Sequence, residues 1–460
     1  MAKYDIVVVG AGPGGYVAAI RAAQLGAQCA VVESEFVGGT CLNWGCIPTK
    51  ALIKSGRVAA LARAAADFGV RVSGVEVDYA AMAARKDKVV AIQRAGIEGL
   101  FKARKIDLVR GTGRLVSPNR VEVTAGDGSK QTIEWAKVIL ATGSEPARPK
   151  VFAFDGDRVL TSQDAVAKTA VGKSVIVVGA GFIGCEYAAL YSNLGLDVTV
   201  VELLRSVLST MDEDIIKEMS RAFRKRKIKV RTGVKVESVA AEGAGAAAVL
   251  EGGEKLAADF ALISVGRRPV TYDLGLEAAG VKAERGYVAV DEHCRTSVPD
   301  VYAVGDMTGK QQLAHVASAQ GVVAAEHIMG RSSAMDYSTV PACVFTDPEV
   351  GTVGLSEREA REKGVDCRVG RFQFRALGKA HAEGEIDGFV KVIGDGGTGR
   401  LVGVHIVGPG ASDMVAEAAA VMKLGATADE VIEVIHAHPT LPEAFKEAVE
   451  NLQGRAIHVP

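Results

Sequence analysis

The chain has 460 residues, of which 48% are apolar and 24% charged, and its formal net charge is -1. That length exceeds one hydrophobic core, so three or four domains are expected, with the composition of an ordinary soluble protein. The even charge balance offers no attraction to nucleic acid or an anionic membrane, and no apolar run reaches the roughly 18 residues of a spanning helix.

The first element is a strand. Asp5 directly precedes the apolar run Ile6–Val9, and the start lacks the basic region of a signal peptide. The loop Gly10-Ala11-Gly12-Pro13-Gly14-Gly15 follows, then an Ala-rich helical stretch from Tyr16 to Gly26 and a strand ending in Glu33. A strand–GxGxxG–helix unit with a terminal acid is the pattern of a dinucleotide site. Gly10, Gly12 and Gly15 let the backbone turn tightly and approach a pyrophosphate. The helix N-terminus attracts the negative charge, and Glu33 can accept from ribose hydroxyls.

Immediately downstream comes Gly38-Gly39-Thr40-Cys41-Leu42-Asn43-Trp44-Gly45-Cys46-Ile47-Pro48-Thr49-Lys50. Two thiols beside a bound redox ring suit a two-electron relay. A disulfide needs Cα atoms roughly 4.4–6.8 Å apart, whereas residues five apart in a straight helix rise by about 7.5 Å and face different ways. Pairing would therefore require Asn43-Trp44-Gly45 to distort, and Gly45 is suited to that. Taken alone, Cys41 and Cys46 fit two small buried apolar residues equally well. The adjoining dinucleotide pattern favours the redox reading, with flavin adenine dinucleotide the cofactor that would meet the thiols.

Residues 55–110 alternate Ala-rich and charged helical stretches, and strands follow around 108–123. Val138–Gly143 reads as a buried strand ending in a tight turn, and the Pro-rich 144–149 marks a boundary. A second unit then repeats the first. Gly179-Ala180-Gly181-Phe182-Ile183-Gly184 follows Val175–Val178, and a later strand ends in Glu202. Without gaps, 10–33 and 179–202 match at ten of 24 positions. One GxGxxG is weak; two, each with its acid 23 residues after the first glycine, are strong. Glu202 would repel a 2′-phosphate, which favours NAD over NADP, though Arg205 stands nearby. Another strand ends at Gly266, and Val301–Asp306 places Asp306 at a strand's C-terminal end. The segment 241–256 reads as a mobile hairpin or loop. From about Val340, strands (343–355, 370–375, 388–394, 400–407) precede helices near 411–424, 428–435 and 442–450.

The seven cysteines include one close pair, so no secreted disulfide framework is present, and a reducing compartment with a single catalytic disulfide is the better fit. No Cys/His spacing suits a metal site, and none is expected.

From end to end the chain resembles the pyridine nucleotide–disulfide oxidoreductases, and within them the dihydrolipoamide dehydrogenase branch. The carrying motifs are GGTCLNWGCIPTK (38–50), the two GAGxxG loops, ATGS (141–144), VGRRP (265–269), AVGDM (303–307), LAHVASAQG (313–321), FTDPEVGTVG (345–354) and HAHPTLPEAF (436–445). The resemblance implies an α/β protein with two Rossmann-like domains, a central domain and a C-terminal α+β interface domain. The corresponding bounds are 1–145 for FAD, 146–268 for NAD, 269–339 for the central domain and 340–460 for dimerisation. It implies non-covalent FAD, NAD, and a homodimer whose active site is shared across the interface. The implied reaction is oxidation of protein-bound dihydrolipoamide to lipoamide with reduction of NAD⁺. The partners would be lipoyl domains and the acyltransferase core of 2-oxoacid dehydrogenase complexes, or a glycine-cleavage assembly. A bacterial-type cytoplasmic location is expected, with a processed organellar form as the alternative. Another NAD(P)H-dependent disulfide reductase of the family is the alternative activity.

Residue by residue, Cys41 would exchange with substrate and Cys46 would face the flavin. Lys50 and Glu186 would pair near it, and Asp306 would hold its ribityl chain. His438, with Glu443 orienting it, would be the acid/base supplied by the other subunit. Gly113, Thr142, Gly143, Ala314 and Gly266 would be further cofactor contacts beside the loop glycines and Glu33 and Glu202. The chain departs from the family pattern at Trp44, Pro442 and the stretch 317–321, which reads Ala-Ser-Ala-Gln-Gly where an acid is usual.

Overall fold

The computed structural model describes residues 3–459. The first region contains β1 (Lys3–Val9), α1 (Pro13–Gln24), β2 (Cys29–Glu33), α2 (Gly39–Trp44), α3 (Cys46–Arg63) and α4 (Tyr79–Ala103). It continues with β3 (Asp107–Arg110), β4 (Thr112–Ser117), β5 (Arg120–Thr124) and β6 (Lys130–Leu140). These strands lie in the order β3-β2-β1-β6-β5-β4. Ile6, Val7 and Val8 are wholly buried, the mark of a central parallel strand covered on both faces. A seventh strand, Val301–Ala303, arrives from far along the chain and pairs in parallel with β6. It delivers Asp306 to the end of the first sheet.

The second region repeats this plan. Strands β7 (Val159–Thr161), β8 (Ser174–Val178), β9 (Asp197–Glu202), β10 (Lys229–Thr232) and β11 (Phe260–Ile263) form a parallel sheet in the order β10-β9-β8-β11-β7. Helix α5 (Phe182–Leu194) follows β8, and α6 (Glu213–Lys225) follows β9. Two short strands, Ser144–Pro146 and Arg267–Pro269, pair antiparallel where the chain leaves and re-enters the first region.

The segment 241–256, expected as a mobile hairpin or loop, is hairpin structure within a three-stranded antiparallel meander, Val236–Glu242, Gly245–Leu250 and Lys255–Ala258. Its composition of Ala, Gly and Glu hides the pattern, because small Ala246 and Ala248 fill the buried face against Phe152 and Ile263. Packing overrides a weak strand propensity there.

Helix α7 (Ala314–Ile328) crosses α1 closely. A Cβ at Gly321 would overlap the carbonyl of Gly14, so small residues set the approach. The last region is an antiparallel sheet of β12 (Ala342–Val344), β13 (Glu349–Gly354), β14 (Cys367–Gln373), β15 (Phe389–Asp395) and β16 (Leu401–Gly408), ordered β12-β13-β16-β15-β14. Helices α8 (Ala411–Leu424) and α9 (Glu443–Leu452) pack on it through Val415, Ala418, Phe445 and Ala448. No helix of the described residues is long and apolar enough to cross a membrane.

Candidate active site

The two glycine loops have nearly the same local geometry. Gly10 sits at φ +101° and Gly179 at φ +97°, in the region that favours glycine. A Cβ at Gly179 would lie 2.5 Å from the Ser264 carbonyl, and one at Gly10 would collide with that of Ala141. Gly15 and Gly184 would each strike the carbonyl of the first glycine of their loop. Those four positions are glycine for internal reasons. Gly12 and Gly181 are not: a Cβ at Gly12 would meet nothing nearer than Gly39 Cα at 3.9 Å, and one at Gly181 nothing within 4 Å. Each is the N-cap of its helix and supplies no side-chain cap. The bare backbone thus leaves an open approach to N–H groups at a positive helix end, which fits a pyrophosphate.

Each terminal acid is turned onto its own loop. Glu33 accepts from the N–H of Ala11 at 2.7 Å and of Glu35 at 2.8 Å. Glu202 accepts from the N–H of Ala180 at 2.5 Å and of Leu204 at 2.8 Å. These bonds fix both carboxylates at the strand ends while leaving each oxygen a further lone pair. A Cβ at Gly113, on β4, would press at 3.0–3.3 Å on the side chains of Val9, Val32 and Val121, so a glycine there packs closely on the first loop's strands.

Cys41 lies on α2 and Cys46 opens α3; a disulfide joins them with Cα atoms 4.7 Å apart. Gly45 breaks the helix between them at φ -127°, ψ -110°, the local distortion the spacing demands. A Cβ there would be 3.0 Å from the Thr40 carbonyl. The same segment leans on the first glycine loop. Gly38 donates its N–H to Ala11 O at 2.7 Å, and a Cβ on Gly39 (φ +55°) would be 2.6 Å from Gly12 Cα. The disulfide therefore sits beside the first glycine loop by backbone contact. The remaining cysteines are free, and burial pushes the Cys29 and Cys294 thiols up to about 12.

Lys50, one turn beyond Cys46, donates to both oxygens of Glu186 at 2.9 and 2.8 Å. Glu186 is 5% exposed and also accepts from the Phe345 N–H at 3.0 Å, while Lys50 lies over the Phe345 ring at 4.5 Å. Residues from three distant stretches thus meet in one partly buried ion pair. Asp306 accepts from the Ser144 hydroxyl, and Arg267 donates to Ser144 Oγ at 2.7 Å and to its carbonyl at 2.6 Å. Burial lowers the Arg267 guanidinium from its ordinary value, against the pull of Asp306 and Glu145. Ser144 and Arg267 escaped the sequence reading as site residues although ATGS and VGRRP contain them. Phe345 escaped likewise, because a backbone donor has no sequence signal. Thr142 donates to Val270 O at 2.5 Å. Gly143 (φ +69°) and Gly266 (φ +120°) face open space, and Ala314 begins α7 without a side-chain cap.

His438 Nδ1 is 2.9 Å from Glu443 Oε1, and the other Glu443 oxygen accepts from the Thr440 N–H at 2.8 Å. Partial burial pushes the Glu443 carboxyl up, but Thr440 and His438 outweigh it and hold it below the usual glutamate value. Pro442 caps α9 at an αR conformation and leaves the pair intact. The His438 side chain is 79% exposed. No hydrogen bond or salt bridge ties the pair to the cysteine loop of the same chain among the described residues. A carboxylate thus holds one imidazole nitrogen of an exposed ring, an arrangement capable of acid/base chemistry.

Two family models match. Residues 4–321 fit the pyridine nucleotide-disulphide oxidoreductase model and residues 340–449 its dimerisation domain. The chain belongs to the pyridine nucleotide-disulphide oxidoreductase family. It is 42% identical to dihydrolipoyl dehydrogenase of Bacillus subtilis (strain 168), over 99% of both chains. It is 43% identical to that of Halobacterium salinarum, over 99% of this chain and 97% of the other. Among solved structures, LpdA from Mycobacterium tuberculosis superposes with a TM-score of 0.93 at 31% identity, over 98% of this chain and 100% of that one. The HOCl-induced flavoprotein disulfide reductase RclA from Escherichia coli gives 0.88 at 26% identity, over 97% and 99%.

Proposed function

We propose that this chain is a flavin-dependent dihydrolipoyl dehydrogenase that oxidises protein-bound dihydrolipoamide and reduces NAD⁺. The observation that carries the reading is the Cys41–Cys46 disulfide seated against the first glycine loop. Full-length relatives of that name support it.

FAD would be held by Gly10, Gly12, Gly15 and Glu33, with Gly113, Thr142, Gly143, Asp306 and Ala314 along its length. NAD⁺ would lie on Gly179, Gly181, Gly184, Glu202 and Gly266, and Lys50–Glu186 would stand between the two sites. Bound flavin supplies two-electron exchange between a dithiol and a pyridine nucleotide. The chain's own residues handle the thiol chemistry. His438 takes the proton from one substrate thiol, and the thiolate attacks Cys41 Sγ, forming a mixed disulfide and expelling Cys46 as thiolate. The second substrate thiol attacks the substrate sulfur of that bond, closing lipoamide and releasing Cys41. Glu443 orients His438 and stabilises its charged form.

The acid/base of one subunit would serve the disulfide of the other. The exposure of His438, the dimerisation-domain match and the exposed apolar side chains Leu424 (85%) and Ile435 (92%) support a homodimer. The domain limits proposed are 1–145, 146–268, 269–339 and 340–460. Lipoyl domains of 2-oxoacid dehydrogenase or glycine-cleavage assemblies would supply the dithiol, in a bacterial-type cytoplasm.

The test is steady-state dihydrolipoamide oxidation by the yellow protein, with NAD⁺ and NADP⁺ in parallel. Turnover with NAD⁺, lost at least about 10³-fold in Cys46→Ser while dye reduction by NADH survives, is the expected result. Full lipoamide turnover in Cys46→Ser would overturn the mechanism. Absence of dithiol turnover in flavin-loaded wild type would point to another disulfide substrate.

A further inference from the structure

The segment that carries the disulfide is tied down by a side chain outside it. Asn43, between the two cysteines, is 6% exposed. Its amide donates to Val37 O at 3.0 Å and Gly39 O at 2.9 Å. Its carbonyl accepts from Arg94 Nε at 3.1 Å and Nη2 at 2.7 Å. An Asn side chain has two N–H donors and two acceptor lone pairs, and here all four are used. Arg94 comes from α4, and its guanidinium carbon lies over the Phe36 ring, 3.7 Å from the centroid. Phe36 in turn packs on Trp44, ring centroids 6.2 Å apart. Both residues flanking Gly45 on the Cys41 side are thus fixed: Asn43 through Arg94, Trp44 through Phe36.

We propose that Arg94 is a positioning residue for the redox disulfide, holding Cys41 and Cys46 in disulfide geometry while the bond is open. The inference rests on the reading of that pair as redox-active. When the disulfide is reduced, the covalent link across Gly45 is gone and the helices α2 and α3 keep their approach only through other contacts. A side chain that orders the segment beforehand lowers the conformational entropy lost on closing the bond. It therefore raises the effective concentration of one thiol at the other and favours the oxidised form. Arg94 also carries a positive charge, which by itself would stabilise a thiolate and so favour the reduced form. The two effects have opposite signs. The two bonds at Asn43 and the stacked guanidinium make positioning the larger one.

The equilibrium is read on the cysteines directly. Holoenzyme is poised in mixtures of reduced and oxidised dithiothreitol, quenched by alkylation, and the peptide bearing Cys41 and Cys46 is weighed. In the reaction the protein disulfide takes two electrons and two protons from the dithiol, which closes to its cyclic disulfide. Arg94→Met and Arg94→Lys should both make the disulfide easier to reduce, by about three- to tenfold in equilibrium constant, a tenfold change being about 30 mV. Lysine keeps the charge but not the planar two-bond fork. Phe36→Leu, which keeps the bonds to Asn43 and removes the stacking face, should shift the constant the same way by a smaller factor.

A Lys variant matching wild type with only Met shifted would assign the effect to charge and overturn the proposal. So would coincident titrations of all four proteins. If wild type itself takes up no alkylating agent at any poise, the redox reading fails and this inference falls with it; a normal wild-type titration with unmoved variants sinks the inference alone.

Discussion

The two glycine loops solve one backbone problem in the same way and differ in what surrounds them. At both, the first glycine adopts φ near +100° and the terminal Glu accepts from the loop's own N–H. The first loop is then closed in. Gly39 touches Gly12, α7 crosses α1 on small residues, and Glu33 is 8% exposed. The second is left open, with nothing near Gly181 and with Leu203 (64%), Leu204 (53%) and Val265 (41%) exposed around it. On the function proposed above, a duplicated unit with nearly the same loop geometry serves a resident cofactor in one copy and an exchanging coenzyme in the other. The difference is made by neighbouring elements and not by the fingerprint.

The strongest way to break that comparison is to insert the same clash in both loops. Gly15→Val and Gly184→Val each drive a side chain into the carbonyl of the loop's first glycine. Gly15→Val should cost at least about tenfold in flavin affinity, read from the 450 nm to 280 nm absorbance ratio of purified protein. Gly184→Val should purify yellow, with a disulfide that dithiols still reduce, and with KM for NAD⁺ raised at least about tenfold. Flavin loss in both would show that the second loop also supports the resident site.

A milder contrast lies in the acids. Glu202→Gln keeps an acceptor for the Ala180 N–H and removes the charge, so KM for NAD⁺ should rise a few-fold while discrimination against NADP⁺ falls by about tenfold. Glu33→Gln should weaken flavin retention and leave the NAD⁺/NADP⁺ ratio unchanged. An unaltered ratio in Glu202→Gln would make the carboxylate a loop brace only.

How much of this was legible in the chain follows from how local each feature is. The glycine loops, their acids and the break at Gly45 are set by residues adjacent in sequence, and composition plus spacing reach them. His438 and Glu443 could be paired because Pro439 and Pro442 stiffen the turn between them. The Ser144–Arg267–Asp306 cluster and the Phe345 bond to Glu186 join residues more than a hundred positions apart, and only the crossing of sheets brings them together. The meander at 236–258 was legible only as a hairpin or loop for a different reason: Ala246 and Ala248 make up much of its buried face beside Val239 and Leu250, and alanine carries little strand signal. The brace on Asn43 was unreadable because Arg94 lies in the exposed charge pattern of α4, where most such residues only meet water.

The smallest effect concerns what supports each site in acid. The first is held by close packing of small and apolar residues between α1 and α7, with the Arg21–Glu326 ion pair at its edge. The second adjoins an ion cluster in which Lys391 of β15, 1% exposed, donates to Asp212 at 2.9 Å, Asp214 at 2.7 Å and lies 2.8 Å from Glu357. Burial pushes the Asp212 carboxyl up, but His405, Lys391 and the N–H groups of Glu357 and Asp214 hold it below its ordinary value. Lys391, through its hydrogen bond, does the same for Glu357 against burial. A carboxyl depressed in the folded state contributes stability that is complete above its unfolded pKa and fades as pH falls through the folded one. The cluster should therefore hold through neutral pH and give way below the usual carboxylate range. On acidification, NADH binding should fail before flavin is released, read as nicotinamide fluorescence against flavin fluorescence in one titration. Lys391→Met removes the cation that lowers both carboxyls, so the loss of NADH binding should move to higher pH while flavin release stays where it was. Joint movement of the two transitions would show that the sites share one support after all.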